Sequence, residues 1–189
     1  MGDGWNLVAL AASHHGFRAV KVALSLSFLF RIMKQDFPLN PPSWRNDTVL
    51  PLPPEVIADA WAVDAACSGN PGPMEYRCID LQTGAQVFHF GPIYGTNNIG
   101  EFLAIVHALA LMEKTKQYKP VIYSDSINAA LWVKKKHCKT TLVRDQRTAR
   151  VYDMLRRAEL WLQDNPYDTQ IVKWNTKKWG EIPADFGRK

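Results

Sequence analysis

The sequence predicts an α/β protein with a five-stranded mixed sheet, a three-strand antiparallel meander plus two parallel strands, flanked by helices. Three observations predict it. Short apolar runs bounded by Gly, Asn and Pro recur from Trp61 onward. Longer segments carry apolar residues at i, i+3, i+4, i+7, the helical spacing. The two kinds follow one another as three strands, helix, strand, helices, strand, the order of a mixed sheet with helices against it.

The first strand is Trp61 to Ser68, an apolar run closed by the turn Gly69-Asn70-Pro71-Gly72-Pro73. Tyr76 to Leu81 and Ala85 to Gly91 follow as two strands joined at Gln82-Thr83-Gly84, which completes the meander. Asn98 to Glu113 places Phe102, Ile105, Val106, Leu109 and Met112 on one helical face. Pro120 to Ser124 reads as a short buried strand, Ser126 to Lys136 and Arg144 to Gln163 as helices, and Gln170 to Trp174 as the last strand.

At 189 residues, 47% hydrophobic and 22% charged, the chain is long enough for one packed domain and a tail, and its composition excludes a disordered or fibrous protein. The net charge of +5 is mild, so where the positive charge sits matters more than its sum. Cys67, Cys78 and Cys138 form no CxxC pair, which argues against structural zinc and a disulfide framework and for a reducing, cytoplasmic compartment.

Upstream, Val22 to Phe30 lies between Lys21 and Arg31 and is too short to span a bilayer, which takes about 20 residues. No small-residue cleavage site follows it, and Arg18, Lys21 and Arg31 would also suit a transit peptide. The simplest expectation is that translation starts at Met33. Residues 37–54 hold Pro38, Pro41, Pro42, Pro51, Pro53 and Pro54, whose fixed φ angles exclude helix interior and central strand. The chain thus divides into an extension and proline-rich linker, 1–55, and a packed α/β domain, 56–189. No membrane, no obligate protein partner and a monomer are expected.

Four acids stand out. Asp64 lies inside the most apolar strand, between Val63 and Ala65, where an unpartnered carboxylate costs several kcal/mol or takes up a proton. Asp125 ends the run Val121 to Ser124, where α/β sheets bind ligands, although an aspartate there also suits the N-cap of the next helix. Glu101 falls in the first turns of a helix, where it would also favour the helix dipole. Asp185 is near the chain end, where a solvated acid is unremarkable.

Taken together they are distinctive. Asp64 with Cys67-Ser68-Gly69-Asn70-Pro71-Gly72-Pro73, then Thr96-Asn97-Asn98-x-x-Glu101, Tyr123-Ser124-Asp125-Ser126 and Ala184-Asp185, resembles the type 1 ribonuclease H family in order and spacing from about Trp61 to Lys189. The resemblance implies a ribonuclease H-like fold and an endonuclease that cuts the RNA strand of RNA–DNA hybrids to leave 5′-phosphate and 3′-hydroxyl ends. It implies that Asp64, Glu101, Asp125 and Asp185 hold two Mg²⁺ ions, with Mn²⁺ a possible substitute. Asp64 would bridge both ions, Glu101 and Asp125 complete one, and Asp185 hold the other.

Two departures stand out. No histidine occurs between Gln170 and Lys189, Asn175 standing about where many members have one, and the stretch after Asp185 is short. Both imply slower product release.

By the same resemblance Asn70, Thr96, Asn97 and Asn98 contact sugars and phosphates in the hybrid's minor groove, where the 2′-hydroxyls mark RNA. They are equally ordinary turn and cap residues. Lys134, Lys135 and Lys136, followed by Lys139, Arg144, Arg147 and Arg150, match the basic handle of some members, with Trp132 stacking or packing beside them; a charge run is otherwise a solvated face. Lys173, Trp174, Lys177, Lys178 and Trp179 form a basic-aromatic stretch that could touch nucleic acid, though aromatics so placed more often seal a core. Two alternatives stay open: another nuclease or DNA-transfer enzyme of this fold, and a noncatalytic RNA- or hybrid-binding protein.

Overall fold

The computed structural model describes residues 50–187; the segment before Met33 and Pro38, Pro41 and Pro42 lie outside the described residues. The strands are β1 (Ala60–Cys67), β2 (Gly72–Asp80), β3 (Gln86–Gly95), β4 (Val121–Ser124) and β5 (Gln170–Lys173). The helices are α1 (Asn97–Thr115), α2 (Ile127–Lys134), α3 (Ala149–Asp164) and the single turn α4 (Thr176–Trp179). Sheet order is β3-β2-β1-β4-β5. β1 to β3 form the expected antiparallel meander, while β4 runs parallel to β1 and β5 parallel to β4. Among the described residues no helix is long and apolar enough to cross a membrane.

The central strand β1 is buried from Ala60 to Ala65, and its alanines let layers approach on both faces. On one face Ala60 and Ala62 join Ile79, Tyr123, Trp174, Ile182 and Ala184 in a core that Leu50 and Leu52 also pack against. Leu50 and Leu52, at the end of the proline-rich linker, therefore already cover part of this core. Trp174 stands edge-on to both Tyr123, at 5.5 Å, and Trp179, at 5.1 Å, and its indole N–H donates to the Gly180 carbonyl at 2.8 Å. The aromatic part of the 173–179 stretch thus seals the core, as expected. The opposite face lies under α1, which also packs on α2 and α3.

Three boundaries differ from expectation by more than two residues. β2 begins at Gly72 rather than Tyr76, and β3 continues through Pro92 to Gly95 rather than stopping at Gly91. β3 is an edge strand, where a proline is tolerated. Gly91 takes φ +121° beside an irregularity between Met74 and Tyr76, and a Cβ there would stand 2.6 Å from Glu75 Cβ. Helix α3 starts at Ala149, not Arg144. The Asp145 carboxylate accepts the Thr148 N–H at 3.0 Å and the Thr148 hydroxyl accepts the Asp145 N–H at 2.8 Å, holding these residues in a turn.

The contact that governs the site is that of α1 with β1 and β2. Thr96 caps the helix, its hydroxyl accepting the Ile99 N–H at 3.4 Å. One turn in, a Cβ on Gly100 would lie 2.6 Å from Met74 Sδ and 2.8 Å from Ala65 Cβ. Only a residue without a side chain lets the helix lie this close, and Glu101 is the next residue. Gly100→Ala is expected to destabilise the protein by about 1–3 kcal/mol through overpacking, measured by urea unfolding. Wild-type stability would show that the helix can move away at no cost.

Candidate active site

Three elements deliver one carboxylate each. Asp64 is near the end of β1, Asp125 follows β4, and Glu101 is on α1. The parallel register pairs Val63 with Ser124, so Asp125, the first residue past β4, comes level with Asp64 inside β1. One carboxylate oxygen from each of Asp64, Glu101 and Asp125 lies within 4.8 Å of the other two. Asp64 is 6% and Glu101 2% exposed, while Asp125 is half-buried.

The ordinary explanations for these acids fail on local grounds. Ser126, not Asp125, caps α2: its hydroxyl accepts the Ala129 N–H at 3.2 Å, which leaves the Asp125 carboxylate available. Glu101 is buried against the sheet instead of solvated beside the helix start. Besides Asp64, its partners are neutral: Asn97 Nδ2 donates to Oε1 and Ser124 Oγ to Oε2, each at 3.4 Å. Neutral donors offset part of the repulsion but carry no charge to cancel it.

Burial, more than any neighbour, pushes the Asp64 carboxyl up to about 7, with Asp125 and Asp185 adding repulsion and a hydrogen bond to Glu101 opposing it. Burial raises Glu101 further above the carboxylate range, reinforced by Asp64 and Asp125. Without a cation, therefore, this cluster retains a proton at neutral pH. A divalent ion suits it better, since hard cations prefer anionic oxygen ligands and need several at once.

Asp185 lies outside the group of three but near enough for its charge to act on Asp64. Its carboxylate accepts the Gly187 N–H at 2.8 Å. Asn175, where a histidine was looked for, caps α4 by accepting the Lys178 N–H at 3.2 Å.

Beside the cluster a cavity of about 430 Å³ is lined by Asn70, Thr96, Asn98 and Trp132, facing residues 139–143. Asn97 joins cavity to carboxylates, since its backbone N–H donates to Asn70 Oδ1 at 3.1 Å while its amide reaches Glu101. Trp132 both packs, edge-on to Phe102 at 6.4 Å, and lines the cavity.

Lys134, Lys135 and Lys136 are exposed at the end of α2 and are not in the cavity lining, whereas Lys139 is. Arg144, Arg147 and Arg150 do not stand free as an extension of that run. They lie over the rings of Tyr152 (4.2 Å), Tyr94 (4.7 Å) and Phe90 (5.7 Å).

Sequence reasoning missed two residues. Gly100 could have been found as a glycine beside an acid in an otherwise apolar helix. Arg77 interrupts an apolar strand and pairs directly across from Asp64. Burial lowers its pKa, against the pull of Asp64, Asp185 and Glu75.

The cluster makes a prediction that requires no substrate. The folded, metal-free protein holds protons on Asp64 and Glu101 that the unfolded chain has already released above the ordinary carboxylate range. Their stabilising contribution is therefore complete below that range and is lost as pH rises through about 7. In chelator, thermal melts should fall over this interval for the wild type, and Asp64→Asn should flatten the decline. Parallel curves would assign the pH dependence elsewhere.

No family model matches the chain. Among curated proteins it is similar to the ribonuclease H of Ehrlichia ruminantium (strain Gardel), 32% identical over 129 residues, which are 66% of this chain and 80% of that protein. It is also similar to the ribonuclease H of Chromobacterium violaceum, 39% identical over 64 residues, 33% of this chain and 42% of that one. Among solved structures, LC11-RNase H1, isolated from compost by a metagenomic approach, aligns at 16% identity and TM-score 0.41 over 63% of this chain and 85% of that one. The Ehrlichia protein is matched over most of its length at nearly one residue in three, and on that similarity the chain belongs to the ribonuclease H family.

Proposed function

We propose that this chain is a metal-dependent endonuclease that hydrolyses the RNA strand of RNA–DNA hybrids, leaving 5′-phosphate and 3′-hydroxyl ends. The observation that carries the reading is the convergence of Asp64, Glu101 and Asp125 within 4.8 Å in a member of the ribonuclease H family. Carboxylates this close, bonded to neutral donors, are suited to cations and poorly suited to a purely structural role. With Asp185 they would hold two Mg²⁺ ions, Mn²⁺ being an acceptable substitute. Bound divalent ions supply charge neutralisation at the scissile phosphate and a more acidic water.

The chain's own residues supply the rest. Asp64 would be the ligand shared by both ions, Glu101 and Asp125 would complete one, and Asp185 would hold the other. No protein nucleophile is required. Asn70, Thr96, Asn97 and Asn98 offer short polar groups to the hybrid backbone, at a depth where 2′-hydroxyls can be read. Their roles as cap and turn residues fix the backbone that presents them, so both functions coexist. Trp132 offers a partly exposed ring beside them. Lys134, Lys135 and Lys136 provide exposed charge on the helix end adjoining this cavity, suited to phosphates farther along the duplex.

Labelled hybrid, RNA duplex and DNA duplex, each incubated with Mg²⁺, Mn²⁺ or chelator, test the reading. Cleavage of the hybrid's RNA strand that needs metal and disappears in Asp64→Asn is the expected result. Tight hybrid binding without cleavage would favour a noncatalytic binder, and cleavage of duplex DNA would indicate another nuclease of this fold. Neutralising Lys134, Lys135 and Lys136 together should raise KM more than it lowers kcat and reduce the salt dependence of binding. An unchanged KM and salt slope would remove them from the substrate path.

A further inference from the structure

We infer that Arg77 is a positioning residue that holds Asp185 at the catalytic edge of the sheet by gripping the backbone of the terminal segment. The inference rests on the proposed role of Asp185 as a metal ligand. It addresses how the segment that carries Asp185, which lies outside the sheet and the helices, is fixed.

The segment after α4 has few anchors of its own. Ile182 and Ala184 are buried in the core, and the Asp185 N–H donates to the Ile182 carbonyl at 2.7 Å. Arg77 adds contacts to three consecutive residues. Its Nε donates to the Ala184 carbonyl at 2.8 Å, and Nη2 donates to the Asp185 carbonyl. Its guanidinium carbon lies 4.6 Å from the centre of the Phe186 ring. The grip is on backbone oxygens, so the Asp185 carboxylate is not consumed by it.

The register makes this clamp part of the catalytic edge. Arg77 pairs with Asp64 on one side and His89 on the other, so the three share one sheet face in a row across β1, β2 and β3. His89 stands 5.8 Å from the Phe186 ring, and its Nε2 lies 2.6 Å from Glu75 Oε2. Phe186 is thus held against two neighbours of the row that carries Asp64. Arg77 references the terminal aspartate directly to the strand that presents Asp64.

Arginine suits the task in a way lysine does not. Its planar fork can donate to two carbonyls while its face lies over an aromatic ring. A lysine keeps the charge, but its three donors sit on one compact ammonium without the planar fork or the flat face. Arg77→Lys therefore separates the clamp from a mere counter-charge for Asp64.

The experiment compares the full-length wild type, Arg77→Lys, Asp185→Asn and the double variant. It measures backbone hydrogen exchange over residues 184–187, and kcat and KM on hybrid in Mg²⁺. Phe186→Leu, which keeps the arginine and removes its platform, is a second probe should Arg77→Lys not fold by thermal melt. Either variant is expected to speed exchange in the terminal segment. Arg77→Lys should lower kcat by roughly 10–100-fold, the usual cost of losing an outer partner of a metal ligand, with KM unchanged. In the Asp185→Asn background it should cost nothing further, because it acts through that residue.

Multiplied losses in the double variant, or unaltered exchange at 184–187, would overturn the inference. So would an unimpaired Arg77→Lys beside an impaired Asp185→Asn. A fully active Asp185→Asn would overturn the assignment of Asp185 itself, and this inference with it.

Discussion

Repulsion between carboxylates that the fold forces together is the constraint on which the rest of this structure depends. Two full negative charges 4.8 Å apart cost roughly 3 kcal/mol at an effective dielectric near 20, before any desolvation. A protein of ordinary stability does not keep several such charges together without return. Asp64 and Glu101 meet the cost in the metal-free state by taking up protons, which the direction of both pKa shifts expresses. The same arrangement becomes favourable once positive charge sits among the oxygens.

The surrounding architecture reads as the means of enforcing that arrangement. Alanines on β1 and Gly100 on α1 remove the side chains that would keep helix and sheet apart. Parallel pairing of β1 with β4 brings Asp125 level with Asp64 without any side-chain contact. Ser126 takes the capping duty that would otherwise occupy Asp125. Asn97 has a foot in each region, bonded to Glu101 on one side and to the Asn70 turn on the other. A change in the cavity would therefore be felt by the carboxylates through one asparagine.

Much of this was legible in the sequence, for identifiable reasons. Apolar runs with turn residues at their ends located every strand, because a central strand such as β1 must be apolar on both faces. Helical spacing located α1 and α3, although the start of α3 was misplaced, since the Asp145–Thr148 turn depends on side-chain bonds that periodicity does not encode. Four acids in a family's order pointed to the site. Arg77 was invisible for a different reason: its importance lies in cross-strand register with Asp64 and in contacts with residues more than a hundred positions away. The lysine run was conspicuous in sequence, but the cavity took its lining from the quieter loop at 139–143.

The most direct test is a crystal of the wild-type protein soaked in Mn²⁺ and measured at the manganese absorption edge. The account predicts an anomalous peak bounded by carboxylate oxygens of Asp64, Glu101 and Asp125. A protein whose three side chains point apart, or whose manganese binds only elsewhere, would contradict it.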